Sequence, residues 1–86
     1  PRVWNRRDPN CPKNAIYVGR PTKWGNPARV NHDRNREEAV RLYRGWLIRR
    51  IQEGGLNPIE LRGHDLVCWC APKTCHADVL LEAANA

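Results

Sequence analysis

The stretch from about Arg36 to Glu53 constrains the fold of this chain more than any other. Val40, Tyr43, Leu47 and Ile51 fall on one face at helical spacing, and Ala39, Leu42 and Trp46 widen that stripe. Arg41, Arg44, Arg49 and Arg50 largely occupy the other side. Asn35 can cap the start, with Glu38 three residues on to complete a capping box, and Gly54-Gly55 stops the helix. Glu37 stands four residues before Arg41, a favourable spacing for an ion pair. This helix lies between two strand candidates, Ala15-Ile16-Tyr17-Val18 and Leu66-Val67-Cys68-Trp69-Cys70. A connection that long suits a parallel crossover.

The remaining segments are shorter. Arg2-Val3-Trp4-Asn5 is a brief strand candidate. The turn-rich run Asp8-Pro9-Asn10-Cys11-Pro12-Lys13-Asn14 predicts a hairpin-like or looped connection to the next strand. Asn57 followed by Pro58 predicts a short helical turn. Leu66–Cys70 is a continuous apolar run, which predicts burial on both faces. Thr74 is a candidate cap for a last helix from Cys75 to about Ala83 that buries Val79 and Leu80. The expected fold class is α/β: a small, mainly parallel sheet of about three strands packed by a long amphipathic helix and a C-terminal helix.

With 86 residues, the chain is expected to form a single domain, 1–86, with one modest core. No apolar run approaches the roughly eighteen residues that suggest a membrane span, and the first residues do not resemble a signal peptide. The formal net charge is +6, from 15 Lys+Arg against 9 Asp+Glu. Only Lys13, Lys23 and Lys73 among the basic residues are lysines. An arginine-dominated charge suggests anionic partners: a nucleotide, nucleic acid or an acidic protein surface. A solvated basic face that only keeps a small protein in solution is the alternative.

Four cysteines are present, Cys11, Cys68, Cys70 and Cys75, and three of them lie within eight residues. A Cys68–Cys70 disulfide would be strained. Reduced thiols and a cytoplasmic location are therefore expected. In Cys68-Trp69-Cys70-Ala71-Pro72-Lys73-Thr74-Cys75-His76, strand alternation puts Cys68 and Cys70 on one face. Cys75 and His76 enter a helix start, where unpaired N–H groups and the nearby Lys73 favour a thiolate. Cys75 is the nucleophile candidate, Cys70 can approach it, and His76 is a candidate acid or base. Three Cys and one His also have the ligand chemistry for zinc. Against that, adjacent Cys75 and His76 cannot easily share one ion, and Cys-x-Cys is tighter than the usual knuckle, so no metal ligand is assigned. Buried cysteine also serves as a small hydrophobe, the role expected of Cys68.

Gly19-Arg20-Pro21-Thr22-Lys23-Trp24-Gly25-Asn26-Pro27 follows a strand and contains two glycines and two prolines. It predicts a rigid loop at a strand's carboxyl end, where ligands of parallel sheets gather. Arg20, Lys23, Trp24 and Asn26, with Lys73, are the candidate ligand-binding residues. An anion held between an arginine fork and the Cys75 helix start is coherent if the two strands are adjacent. Of the four tryptophans, Trp46 and Trp69 are expected in the core, whereas Trp4 and Trp24 are candidate stacking platforms.

Two blocks carry a resemblance. Tyr17-Val18-Gly19-Arg20-Pro21-Thr22-Lys23-Trp24-Gly25-Asn26-Pro27 and Cys68-Trp69-Cys70-Ala71-Pro72-Lys73-Thr74-Cys75-His76-Ala77-Asp78-Val79-Leu80 are similar to the signature blocks of a small uncharacterised family found in bacteria and their phages. Tyr43-Arg44-x-Trp46-Leu47 matches as well, so the resemblance runs from Ala15 onward. Ala77 stands where the family often has Gly. A fainter likeness to a larger uncharacterised family covers only the C-terminal turn. The resemblance implies a site and no particular reaction, and Cys11 lies outside both blocks.

Two functions are therefore expected to compete. In the first, the domain is a ligand-binding or catalytic one for an anionic, nucleotide-like small molecule. Arg20, Lys23 and Asn26 would orient it, Cys75 would be the thiolate or simply part of the anion-binding turn, and Cys70, His76 and Asp78 would support it. In the second, a non-enzymatic module uses the arginine face of the long helix to bind nucleic acid or a host protein, with zinc as a stabiliser. Small size also suggests a homodimer. No membrane partner is expected.

Overall fold

A computed structural model describes residues 1–28, Val30 and 35–86. Three short strands form one sheet: β1 (Val3–Asn5), β2 (Ile16–Tyr17) and β3 (Leu66–Cys68). Their order is β1-β3-β2, and both outer strands run parallel to β3. Val3, Trp4 and Asn5 pair with Leu66, Val67 and Cys68, and Ile16 and Tyr17 pair with Leu66 and Val67. The α/β class, the three-stranded parallel sheet and the two helices agree with the sequence reading. The hairpin option between β1 and β2 does not. The two are not neighbours, because the last strand of the chain enters between them and takes both sets of backbone hydrogen bonds.

Helix α1 spans Arg36–Gln52 and helix α2 spans His76–Ala84, with a 3₁₀ turn at Pro58–Leu61 between them in sequence. Asn35 caps α1, its side chain accepting from the Glu38 N–H at 2.9 Å. Glu38 turns its carboxylate to Arg41, so the ion pair is Glu38–Arg41 rather than the expected Glu37–Arg41. Beyond the C-terminus of α1, Gly54 adopts φ 76°, a conformation that costs glycine little. Ala39, Tyr43 and Leu47 are buried on α1, whereas Leu42 and Ile51 are exposed. The apolar stripe is therefore narrower than the periodicity suggests.

All three residues of β3 are buried. Leu66 and Cys68 belong to the main core with Val18, Tyr43, Leu47, Leu61, Val79 and Leu80. By strand alternation Val67 points to the other face, in register with Trp4 and Tyr17. Arginines lie over those rings: Arg2 is 3.9 Å from the Trp4 centroid and Arg6 is 4.4 Å from that of Tyr17. The second face of β3 is thus covered by aromatic rings and arginine rather than by a helix. Asp65 fastens β1 to the start of β3, accepting from the Arg2 backbone N–H at 2.9 Å and from Trp4 Nε1 at 3.2 Å.

Candidate functional site

The parallel sheet brings the two signature blocks to the same end of the molecule. β2 leads into the Gly-Arg-Pro loop and β3 leads into the cysteine turn, and the two strands are paired neighbours. A cleft of about 520 Å³ opens where they meet. Arg20 and Asn26 from the first block line it, as do Cys70, Cys75 and His76 from the second. Tyr17, Arg36, Cys68 and Trp69 complete its functional lining.

The loop is built by its own polar groups. Arg20 donates from Nε and Nη2 to the Asn26 carbonyl at 2.9 and 2.6 Å, which uses two of the five guanidinium N–H groups. Asn26 Nδ2 donates to the Ala39 carbonyl at 3.1 Å, and the Tyr43 hydroxyl donates to the Trp24 carbonyl at 2.7 Å. These two bonds staple the loop to α1. Gly19 leaves room for Tyr17, because a Cβ at that position would overlap its hydroxyl and ring and displace them. The Tyr17 hydroxyl donates to the Arg20 carbonyl at 2.8 Å and accepts from Trp69 Nε1 at 3.1 Å, linking the two blocks directly.

The cysteine turn is equally specified. Asn5 Nδ2 donates to the carbonyls of Trp69 and Ala71, and the Arg6 N–H donates to the Cys68 carbonyl. Cys75, rather than Thr74, occupies the N-cap of α2. Asp78 accepts from the Cys75 N–H at 2.9 Å, so its carboxylate holds the helix start in place. The sulfurs of Cys68 and Cys75 are 3.2 Å apart. The three sulfurs of Cys68, Cys70 and Cys75 all lie within 4.8 Å of one another. Cys11 is not in this group.

A backbone N–H points into this cluster: that of Cys70 approaches Cys68 Sγ at 3.4 Å. Such a donor favours the thiolate. The Cys68 thiol is drawn down to about 6, first by the hydrogen bond from Cys75 and then by the backbone donors, which together outweigh burial. Cys75 is pushed up by that same bond, by burial and by the neighbouring negative sulfur. The pair therefore loses one proton readily and holds the second strongly.

His76 is buried beneath the cleft. Its Nε2 is 2.8 Å from the Val18 carbonyl, which only accepts, so Nε2 carries the proton and Nδ1 the lone pair. Burial pushes the ring's pKa below its ordinary value despite that bond, so the neutral tautomer prevails at neutral pH. Tyr43 packs edge-on to the ring at 5.1 Å.

The remaining predicted residues lie elsewhere. Trp24 is buried in the core and does not line the cleft. Lys23 pairs with Glu60 at 2.9 Å and also lies outside the cleft lining. Lys73 is exposed on the turn, away from that lining. Trp69, expected in the core, is instead 52% exposed. It follows β3 on the face that aromatic rings and arginines, rather than a helix, cover among the described residues. Cys68 is buried as expected, yet its sulfur joins the cluster, a placement that alternation with Cys70 already suggests. Arg36 had no signal in the sequence, since only the tertiary fold turns the first residue of α1 toward the cleft.

Fold and site together define a class: a small parallel α/β domain with a thiol cluster and an arginine-bearing loop on one cleft. Residues 3–86 match the model of a domain of unknown function, DUF4326, and the chain belongs to that family. It is also 38% identical over 74 residues to an uncharacterised 12.4 kDa protein of enterobacteria phage T4, encoded in the nrdA-td intergenic region. That alignment covers 81% of this chain and 67% of the phage protein. No solved structure matches the chain. Among the described residues, no helix is long and apolar enough to cross a membrane.

Proposed function

We propose that the cleft binds a small anionic ligand with a planar ring, of nucleotide type. One observation carries this reading: a single cleft is lined at once by guanidinium groups, an exposed indole and the thiol cluster. Arg20 and Arg36 supply positive charge for a phosphate. Trp69 offers a ring for stacking, and Arg6 and Arg7 lie 5.7 and 5.4 Å from its centroid. The volume suits a ligand of a few hundred daltons. The Cys68–Cys75 pair on the cleft wall supplies a thiolate to whatever chemistry follows binding.

The experiment is a titration of the protein with nucleoside monophosphates, followed by tryptophan fluorescence and calorimetry. Saturable binding is expected, weaker for the matching nucleosides without phosphate. Trp69→Ala should weaken it about tenfold, since a stacked base is worth about 1–3 kcal/mol. Trp69 is half exposed and also donates to the Tyr17 hydroxyl, so Trp69→Phe, which keeps a ring and loses that bond, should retain most of the affinity if stacking is what Trp69 supplies. Equal affinity in W69A, or no saturation by any nucleotide, would refute the proposal.

A second reading is favoured by the row Trp4–Val67–Tyr17 with Trp69 and Arg2, Arg6 and Arg7 beside it, which resembles a platform for single-stranded nucleic acid. The long-helix arginines support it less. Arg41, Arg44 and Arg50 pair with Glu38, Glu82 and Glu53. Affinity that rises with strand length and falls steeply with salt would select this reading.

A further inference from the structure

We infer that Cys68, Cys70 and Cys75 form a three-thiolate site for a soft divalent metal ion, zinc by preference, whose fourth coordination position opens onto the cleft. The sulfurs converge from two elements and the turn between them, all within 4.8 Å of one another. At the centre of even the widest such triangle, an ion would sit roughly 2.8 Å from each sulfur (4.8 divided by √3), against about 2.3 Å for a zinc–thiolate bond. Small side-chain rotations close that gap. Cys68 and Cys75, at 3.2 Å, need only part to about 3.8 Å, the edge of a tetrahedron with such bonds.

The surroundings suit a metal centre. The Cys70 backbone N–H serves Cys68 at 3.4 Å; a donor of this kind offsets thiolate charge and fixes ligand direction. Asn5 holds the turn through the Trp69 and Ala71 carbonyls. The obstacle seen in the sequence, that Cys75 and His76 cannot share an ion, disappears. His76 bonds to Val18 through Nε2, and the fourth position it would have filled is left open. All three cysteines line the cleft, so the fourth position faces solvent or a bound ligand. An open position is the mark of a reactive rather than a purely structural zinc site. This inference stands without any cleft ligand, so it and the nucleotide reading fail separately.

The test is metal binding by the reduced, chelator-stripped chain, with no nucleotide present. Zinc should bind one ion per chain in competition with a chromophoric chelator. Cobalt(II) should give tetrahedral d–d bands and an intense sulfur-to-metal charge-transfer band that zinc abolishes. Cys70→Ser removes a half-buried ligand at the edge of the core by a near-isosteric change, and should weaken zinc at least tenfold while the circular dichroism stays unchanged. Cys11→Ser should change nothing. The inference is overturned by a cobalt spectrum without thiolate bands, by equal affinity in C70S, by one ion per two chains, or by no uptake against the chelator.

Discussion

Asp65 shows how much one side chain organises. It joins the first residues of the chain to the central strand, accepting from the Arg2 N–H and from the Trp4 indole. Those bonds, the Arg2 one foremost, hold its pKa below the ordinary carboxylate value of 3.8. A depressed carboxylate stabilises the fold fully above its unfolded pKa, and that contribution is lost as pH falls through the folded value. Urea midpoints of the native chain should therefore drop as pH falls below about 4. Asp65→Asn should lower the midpoint at neutral pH and flatten that acid limb. A variant with the native slope would show that Asp65 does not couple β1 to β3. Its partner contacts were not legible in the sequence, because they join residues more than sixty positions apart. Cys68 is buried in the core as the sequence suggests, and its 3.2 Å approach to Cys75 was not legible because the fold alone brings the two sulfurs together.

At the scale of elements, two glycines make opposite predictions. Gly45 sits on the exposed side of α1, and a Cβ there would meet nothing within 4 Å. Gly45→Ala should stabilise the protein by about 0.5–1 kcal/mol, the helix-propensity difference. Gly19→Ala should destabilise it by about 1–3 kcal/mol, because the Tyr17 ring must move and release its bonds to Arg20 and Trp69. Chemical denaturation of both variants checks the pair, and the same sign in both would contradict the packing described. The helix itself was plain in the sequence. Its start is set by the Asn35 cap and its end by Gly54-Gly55, both local chemistry. The width of its buried stripe was not, because periodicity cannot say that Leu42 and Ile51 stay partly exposed at its margins. Trp24 and Trp69 exchanged their expected places for the same reason. Which ring meets the core depends on where the loop and strand end in space.

At the scale of the molecule, the parallel crossover positions everything else. It was legible because a helix of α1's length between two strand-like runs leaves few other topologies. The central place of β3 was not, since strand order depends on pairings that a sequence does not display. Yet that order puts the ends of β2 and β3 side by side, and with them the Gly-Arg-Pro loop and the cysteine turn. The bond from Trp69 to the Tyr17 hydroxyl ties the two together.

The most direct measurement of this account is a ¹⁵N–¹H correlation spectrum recorded through a nucleoside monophosphate titration. The proposal predicts saturable shifts at the amides of Gly19, Arg20, Asn26, Cys70 and Ala77 and at the Trp69 indole. The amides of Arg44, Ile48 and Gly55 should stay in place. Shifts confined to the outer face of α1, or none at either block, would contradict a shared binding cleft.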